Sequence, residues 1–429
     1  MPALLDATPL PRPAAPPPPA PPPRVACLTL CYPDADHPTR GLFVQRRLAA
    51  ISPYADLHVL CPRPWFPLLR PRRARGIAVA RPEGAVPASA AALRPPRDVP
   101  MFYLPRLAKS ADAAWFARAA RRALRDLQSE TPLDLVDAHF EWPDGVGAWR
   151  AARQLDLPVV VTLRGKLVSA ARHALRRRPL ADMLRDADGL IAVSVALARL
   201  ARQIARRDLE IDIIPNGVDP AQFHPLPRDA ARRQLGWSPA ATWLVAVGHL
   251  QALKGWDLLI DALPAIRREA GDVRLALVGG SAGEPAFERR LRRQIAAHGL
   301  RNAIQLAGAL APLLVNVALN AADLFVLPSR SEGCCNALLE AQAAGCPAVA
   351  SDVGGNAEIL LDPAAGRLVR PDDPAALADG VCQALATRWD RPRIARSGAQ
   401  RSWQQVAAQT LAAWECARRR HVNKSRGRP

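Results

Sequence analysis

The 429-residue chain contains no charge-free apolar run long enough to cross a bilayer, although apolar residues make up 49% of it. A membrane-spanning helix needs about 20 predominantly apolar residues in a row, so we expect no membrane span. The first 23 residues also lack the basic start and the unbroken apolar stretch of a signal peptide, and their prolines would interrupt any helix. We therefore predict a disordered Pro-rich tail over residues 1–23.

Cysteine is present but lacks the spacings that would indicate a metal or redox site. The eight cysteines form no Cys-x-x-Cys pair and no cluster with histidine at zinc-site spacing. The adjacent Cys334 and Cys335 could form only a strained bridge. A reduced, cytoplasmic protein without a zinc site is the simplest interpretation.

Aromatic residues are scarce, at 5%, whereas the net charge is +19. Residues 1–214 contain 32 Lys and Arg against 20 Asp and Glu, and residues 215–429 contain 26 against 19. Six of the cations in the second half lie after residue 416. The excess of positive charge is therefore concentrated in the first half and at the extreme end of the chain.

A basic surface of this kind suits nucleic acid, an anionic membrane or a phosphorylated substrate. The clusters at residues 70–76 and 176–179 contain no Phe or Tyr that could stack on bases. We therefore rank an anionic membrane surface on the inner face above nucleic acid as a partner. An ordinary solvated Arg-rich surface is an equal alternative for any single cluster.

From residue 24 onward, short β-branched apolar runs alternate with longer Ala, Leu and Arg segments of helical period, which is typical of βαβ units. The predicted strands of the first half cover residues 25–30, 56–61, 133–139, 158–163, 189–194 and 210–215. Those of the second half cover residues 243–250, 273–280, 303–308, 323–328 and 347–352.

The turn-rich stretch Pro215–Pro220 separates the two series of strands and is expected to act as a hinge. We expect an α/β protein with two doubly wound, Rossmann-like domains, at residues 24–214 and 215–391, that face each other across a cleft. Residues 392–429 are expected to form terminal helices that pack back on the first domain, followed by a basic tail.

Three charged residues of the second domain follow predicted strands. Lys254 stands beside Gly255 at a strand-to-helix turn, where backbone N–H groups and one cation make an anion site. Only four lysines occur against 54 arginines, so a compact ammonium at this turn is notable. Glu332 lies in the next strand-to-helix loop and Glu340 in the helix that follows. These carboxylates are too far apart to share a metal easily but suit two hydroxyls of one elongated ligand, as in a sugar nucleotide.

The first domain also places polar residues where strands end. His139 closes the strand at 133–139, and Arg164 and Lys166 follow the next one. A lone histidine is more often structural, but this position favours a place on the cleft wall. Gly41 lies between a strand and a helix, where a glycine would let the backbone approach a phosphate.

Four blocks of the sequence resemble the family 4 glycosyltransferases, which have the GT-B fold. SEGCCNALLEAQAAGCPAVASDVGG is similar to the E-x7-E region of that family, and IPNGVD and VGHLQALKGWDLLIDAL match two more of its blocks. HFEWPDGVGAWRAARQLDLPVVVTLRG resembles the first-domain block, in the branch that includes teichuronic acid and exopolysaccharide enzymes. The resemblance covers about residues 24 to 390 and is specific for the family but not for the substrate.

The resemblance implies a role for each acidic and basic residue of the cleft. Lys254 would bind the diphosphate of a nucleotide sugar, Glu332 the transferred sugar and Glu340 the ribose hydroxyls. His139 would lie beside the anomeric centre. Members of the family generally retain the anomeric configuration and need no bound metal or other cofactor, because protein cations and helix N-termini neutralise the leaving diphosphate.

The chain departs from the family pattern at two places in the donor site. Many members have Arg where this chain has His249, so that Arg164 or Lys166 would have to supply the missing charge. Adjacent Cys334 and Cys335 replace residues that are more often small or Pro. Their backbone N–H groups, within the donor-binding stretch from Gly333 to Asn336, are expected to matter rather than their thiols.

We therefore predict a metal-independent enzyme that moves a hexose-type sugar from a nucleoside diphosphate to a growing, lipid-linked glycan at the inner membrane face. A non-catalytic GT-B scaffold or sugar-nucleotide-binding module is the alternative. Nucleic-acid binding ranks lower. A phosphorylase that uses pyridoxal phosphate would need a Schiff-base lysine, for which four lysines leave few candidates.

Overall fold

The computed structural model describes residues 21–66, 93–104, 108–281 and 284–426. The predicted tail at 1–23 lies almost entirely outside these residues, as do the basic cluster at 70–76 and the last three residues of the predicted basic tail. No helix within the described ranges is both long and apolar enough to cross a membrane.

The first domain is built on a parallel sheet of seven strands. Its strands are β1 (Arg24–Leu28), β2 (Asp56–Trp65), β3 (Arg97–Phe102), β4 (Leu135–His139), β5 (Val159–Leu163), β6 (Gly189–Ala192) and β7 (Asp212–Ile213). They lie in the order β3-β2-β1-β4-β5-β6-β7. The helices are α1 (Leu42–Ile51), α2 (Asp112–Glu130), α3 (Val146–Arg153), α4 (Leu167–Ala171), α5 (Ala174–Asp186) and α6 (Val195–Ala205).

The second domain repeats this architecture with a parallel sheet of six strands. Its strands are β8 (Thr242–Val247), β9 (Val273–Val278), β10 (Ile304–Gly308), β11 (Leu324–Leu327), β12 (Ala348–Ser351) and β13 (Gly366–Val369). They lie in the order β10-β9-β8-β11-β12-β13. The helices are α7 (Arg228–Leu235), α8 (Trp256–Ala270), α9 (Pro285–Ala297), α10 (Pro312–Ala321), α11 (Asn336–Ala343), α12 (Asn356–Ile359) and α13 (Pro374–Leu385), followed by α14 (Arg391–Ala399) and α15 (Trp403–Arg426).

The central strands are buried throughout because helices cover both faces of each sheet. Every residue of β1, β4, β5 and β6 is buried, and so is every residue of β11 and β12. Strands buried on both faces have nearly continuous apolar sequences, as expected of parallel sheets. This pattern explains why the central strands could be predicted, and all eleven strands predicted from the sequence are present, with their ends shifted by a few residues.

Two strands were not predicted, and both lie at the edge of a sheet. β3 contains Pro100, which cannot donate a ladder hydrogen bond and is tolerated only where one side of the strand is unpaired. β13 has only four residues, and Arg367 and Leu368 in its middle are exposed. Partial exposure removes the apolar signal by which the buried strands are recognised.

The strand order reverses beside the first strand of each sheet, between β1 and β4 and between β8 and β11. In doubly wound sheets, ligands bind in the crevice outside the carboxyl ends of the strands at this point. His139 ends β4, and Lys254 and Glu332 lie in the loops that follow β8 and β11. The two crevices therefore carry the charged residues that the sequence predicts for the cleft.

The last helix returns to the first domain. Trp414 and Ala417 of α15 are buried in one cluster with Val25 of β1 and Ile191 of β6. The Arg47 guanidinium of α1 donates through Nη2 to Thr410 Oγ1 at 2.8 Å. The prediction that the terminal helices pack back on the first domain is therefore confirmed for α15, whereas α14 packs against α11 of the second domain.

The chain passes between the domains twice, and the two crossings lie side by side. Val218 forms a bridge with Ser402, and the Arg401 guanidinium donates to the carbonyl oxygens of Pro215 and Asn216 at 3.1 Å each. Any hinge motion at the predicted junction must therefore involve both crossings.

Candidate active site

In the second domain, Lys254 and Glu332 form an ion pair at the carboxyl ends of β8 and β11. Lys254 Nζ donates to Glu332 Oε1 at 2.6 Å, and Ser329 Oγ donates to the same oxygen at 2.7 Å. Only 9% of the Glu332 side chain and 20% of the Lys254 side chain are exposed. Burial alone would lower the pKa of Lys254, but the Glu332 carboxylate outweighs it and raises that pKa above its usual value. The ammonium is therefore charged at all physiological pH values.

Arg330 holds the two loops of this pair together. Its backbone N–H donates to the Leu253 carbonyl at 2.8 Å, and its guanidinium donates to the Ala252 carbonyl and to Asp257 of α8. These bonds fix the loop before Lys254 against the loop before Glu332. The pair is thus positioned by the backbone of two adjacent strand-to-helix turns.

Glu340 is held from across the cleft. The Arg46 guanidinium of α1 donates to Glu340 Oε1 at 3.1 Å and to Gln222 Oε1 at 2.8 Å. Burial raises the pKa of Glu340, and the Arg46 charge opposes that rise. The second acidic residue of the E-x7-E region therefore joins the two domains in this structure.

His139 is completely buried and is not exposed on the cleft wall, although its position in the sequence suggests that it would be. Its Nδ1 accepts from Arg164 Nε at 3.2 Å, and its Nε2 lies 3.2 Å from Asp137 Oδ2. Only the tautomer with its proton on Nε2 suits both neighbours. Burial lowers the pKa of His139 to about 4, so the ring is neutral at pH 7.

Arg164 extends the hydrogen-bond network of His139 to the second domain. Its Nη1 donates to Asn216 Oδ1 at 3.0 Å, and Asn216 Nδ2 donates to Asn336 Oδ1 at 2.8 Å, at the start of α11. Arg164 Nη2 is buried and has no hydrogen-bond partner among the described residues. Burial lowers the pKa of Arg164 to about 9, which still leaves it protonated at pH 7.

The loop of Arg164 is shaped by the turn Glu141–Gly145. The buried Glu141 carboxylate accepts from the backbone N–H groups of Arg164, Gly165 and Lys166 at 2.9, 3.0 and 3.1 Å. Asp144 accepts from the Leu30 backbone N–H at 2.6 Å. Two buried carboxylates thus tie together the loops that follow β1, β4 and β5.

The other predicted donor-site residues lie in the same region. His249 is exposed beside Lys254, and desolvation and the Lys254 charge both lower its pKa, so it adds no full charge at pH 7. Burial raises the pKa of the Cys334 thiol to about 11 and that of Cys335 to about 12, which keeps both protonated. Gly41 begins α1 with a φ of 72°, and an added Cβ would lie 2.1 Å from the Cys31 carbonyl oxygen. That close approach explains Gly41 without a ligand.

Within the described part of the chain, no group of three His, Cys, Asp or Glu side chains is arranged to hold a metal ion.

The sequence matches family models over most of both domains. Residues 55–222 match the model of Glycosyltransferase Family 4, and residues 241–387 match that of glycosyl transferases group 1. A D-inositol 3-phosphate glycosyltransferase of Arthrobacter sp. (strain FB24) is 32% identical over 375 residues, which cover 81% of this chain and 85% of that protein. The chain belongs to the family 4 glycosyltransferases.

Further relatives agree on the family and the fold of this glycosyltransferase. The D-inositol 3-phosphate glycosyltransferase of Pseudarthrobacter chlorophenolicus is 34% identical over 318 residues, covering 70% of this chain and 74% of that protein. The crystal structure of Anabaena HepE with UDP and glucose superposes with a TM-score of 0.67 at 23% identity, covering 90% of this chain and 99% of that one. Sucrose-phosphate synthase of Thermosynechococcus elongatus gives 0.66 at 21% identity, over 94% and 98%. The predicted GT-B fold is confirmed.

The relatives support the family that the sequence resembles, but not the branch within it. Family 4 membership is confirmed, but the curated relatives are named as D-inositol 3-phosphate glycosyltransferases. They do not single out the teichuronic acid and exopolysaccharide branch.

Three residues of this glycosyltransferase join the domains and were missed in the sequence. Arg46 contacts Glu340, Asn216 bridges Arg164 and Asn336, and Glu358 accepts from the backbone N–H groups of Val195 and Ala196 at 2.8 and 2.9 Å. The run Ser194 to Leu200 shows a helix start that a carboxylate could cap. Nothing in the sequence indicates that the carboxylate comes from the other domain.

The burial of His139 predicts a measurable pH dependence of stability. A histidine with a pKa of about 4 when folded and about 6.5 when unfolded stabilises the folded state fully above pH 6.5, and this contribution is lost as the pH falls toward 4. We expect this loss to lower the free energy of unfolding by about 2 kcal/mol when the pH falls from 7 to 5.

Urea unfolding of the wild type and of His139→Gln at both pH values checks this, because the variant lacks the titrating group. The difference between the two proteins should shrink by that amount at pH 5. A difference that does not change with pH would contradict the assignment.

Proposed function

We propose that this glycosyltransferase moves a sugar from a nucleoside-diphosphate sugar to an acceptor glycan, with retention of configuration. The observation that carries the proposal is the buried Lys254–Glu332 pair at the crevice of the second sheet. This crevice is where doubly wound domains bind nucleotides. The solved structures of HepE, which are complexes with UDP, with UDP and glucose and with UDP-glucose, agree with such a donor.

In this proposal the donor lies along the second domain. Lys254 binds the diphosphate, the Glu332 carboxylate accepts hydrogen bonds from hydroxyls of the transferred sugar, and Glu340 accepts from the ribose. Glu340 then exchanges its Arg46 contact for the ribose or shares it. The Lys254 charge is already in place, so it needs no reorganisation when the diphosphate leaves.

The first domain supplies a second cation. His249 adds no full charge, whereas Arg164 is protonated and has an unsatisfied buried donor at Nη2. We assign Arg164 to the developing charge of the leaving diphosphate, which is the basis for proposing a metal-independent reaction. His139 is assigned a positioning role, because its ring nitrogens face Arg164 and Asp137.

The proposed acceptor is a lipid-linked glycan at the inner membrane face, to which a hexose-type sugar is added. Among the solved structures, a lipopolysaccharide outer core galactosyltransferase has the same fold, with a TM-score of 0.62. A second candidate is a small phosphorylated polyol, which the names of the curated relatives favour. The α/β fold itself does not distinguish these acceptors.

A thermal-shift screen with UDP-, GDP- and ADP-sugars tests the donor. A cognate donor at about 100 times its dissociation constant should stabilise the folded protein by about 2.7 kcal/mol. Glu340→Gln should weaken this shift without preventing folding. The absence of a shift with every nucleotide sugar would overturn the proposal.

Release of the nucleoside diphosphate then tests turnover, with inositol phosphate and a lipid-linked saccharide compared as acceptors. Acceptor-dependent release identifies a transferase, and the preferred acceptor separates the two candidates. A thermal shift without release under any acceptor would favour a sugar-nucleotide-binding module instead.

A further inference from the structure

The surface formed by α4 and the first half of α5 carries positive charge that forms no ion pair with the described residues, and the acids of α5, Asp182 and Asp186, lie in its second half. Residues 157–181 contain six Lys and Arg and no Asp or Glu. Four of these cations, which with Leu175 define the α4–α5 surface, are exposed: Lys166, Arg172, Arg177 and Arg178. None of the four forms an ion pair with any residue in the described ranges. Their charge is therefore available to an external partner.

The basic C-terminal helix differs in this respect. In α15, Arg418 pairs with Asp134 at 2.8 Å, Arg419 with Glu415 at 2.9 Å and Lys424 with Asp188 at 3.0 Å. These cations fasten α15 to the first domain or to itself. The sequence places the excess of positive charge both in the first domain and in the terminal segment, and we select the α4–α5 surface of the first domain because its exposed cations form no ion pairs among the described residues.

An exposed apolar side chain stands among the free cations. The Leu175 side chain, at the start of α5, is 76% exposed. Beside it, Val168, Ala171 and Leu200 line a groove that is flanked by Arg172 and Arg177. An exposed leucine that is within three positions of Arg172, Arg177 and Arg178 in the sequence fits a lipid interface, because arginine stems can lie along the acyl boundary while their heads reach the phosphates. A nucleic acid would leave Leu175 without a partner.

The α4–α5 surface is continuous with the cleft. Lys166 precedes α4 directly, and Gly165 beside it lies against the Gly333 backbone, with an added Cβ 3.4 Å from Gly333 Cα. A lipid held at this surface therefore has its headgroup close to the loop that faces the donor site.

We propose that the α4–α5 surface binds the anionic phospholipid face of a membrane, with Leu175 inserted at the interface, and presents the cleft to a lipid-linked acceptor. The choice of acceptor rests on the proposed function, whereas lipid binding does not. Binding strengthens with anionic lipid content and weakens with salt.

Co-sedimentation with phosphatidylcholine vesicles, with and without phosphatidylglycerol, tests the surface. The wild type should bind only the anionic vesicles, and Arg172→Glu/Arg177→Glu/Arg178→Glu should reduce the partition coefficient by about 100-fold or more. Leu175→Ala should reduce it by about tenfold without changing the charge.

The matched control is Arg289→Glu/Arg293→Glu/Arg301→Glu, which makes the same charge change at exposed, unpaired arginines of the second domain. An equal loss of binding in this control, or no loss in the α4–α5 variants, would overturn the proposal. Wild-type protein that does not bind anionic vesicles would overturn it as well. Thermal shift by the donor should be unchanged in both triple variants. A failure of vesicle binding is thereby separated from a failure of the proposed function.

Discussion

Lys254→Ala is expected to lower kcat for sugar transfer on the order of 100- to 1,000-fold, the usual cost of removing one preorganised group that stabilises developing charge. The ammonium lies 2.6 Å from Glu332 at the crevice where the diphosphate would bind, and the pKa of Lys254 is raised so that the charge is always present. No described residue can replace it from the same loop, because His249 is neutral at pH 7.

A double variant separates the catalytic loss from a folding defect. Lys254→Ala leaves the largely buried Glu332 carboxylate with Ser329 as its only remaining side-chain donor, which should destabilise the protein. Adding Glu332→Gln removes the uncompensated charge and should recover thermal stability but not transfer.

Lys424→Ala is the matched control for this prediction. This substitution deletes a lysine of α15 that lies outside the cleft and pairs with Asp188 at 3.0 Å. It should leave nucleotide release unchanged. Recovery of activity in the double variant, or wild-type kcat in Lys254→Ala, would contradict the role of Lys254.

The parts of the fold that the sequence predicts are those that local pattern determines. Buried parallel strands have apolar runs, and a charged residue directly after such a run must lie at the carboxyl edge of the sheet. This argument is sufficient to place Lys254 and Glu332 at the ends of β8 and β11, where they converge. It does not need the identity of the partner across the cleft.

Contacts between the domains have no such local signal. Arg46 and Glu340 are 294 positions apart in the sequence, and Asn216 and Asn336 are 120 apart. The helical period of α1 places Arg47 on the buried face with Val44 and Ile51 and leaves Arg46 off that face, but it does not indicate what Arg46 contacts. Only the packing of one domain on the other brings Arg46 to Glu340.

For His139, too, the local sequence pattern predicts only part of the outcome. Its position at the end of β4 favours the cleft, and the structure does place it at that end of the sheet. Arg164, from the loop after β5, and Asp137 contact the ring nitrogens, and the ring is 0% exposed. Whether a residue at a strand end lines the cleft or supports it depends on how the following loop folds back.

Gly333→Ala is expected to reduce kcat for transfer by about 100-fold while leaving donor binding largely intact, because a small misplacement of reacting groups is costly. A Cβ on Gly333 would lie 2.5 Å from the Arg164 carbonyl oxygen in the opposite domain. That oxygen cannot easily withdraw, since the backbone N–H groups of Arg164, Gly165 and Lys166 are held by Glu141. The added methyl group should therefore keep the two domains apart.

Kinetics and small-angle scattering in the presence of donor check this expectation. The variant should keep a near wild-type donor KM, because Lys254, Glu332 and Glu340 all belong to the second domain, and it should show a larger radius of gyration than the wild type. Gly236→Ala is the control: Gly236 ends α7 at a φ of 67°, so an added methyl group strains the backbone there but meets no atom within 4 Å. Full activity in Gly333→Ala, or a loss matched by a fall in melting temperature beyond that of the control, would show that close approach of these loops is not what aligns Arg164 with the donor.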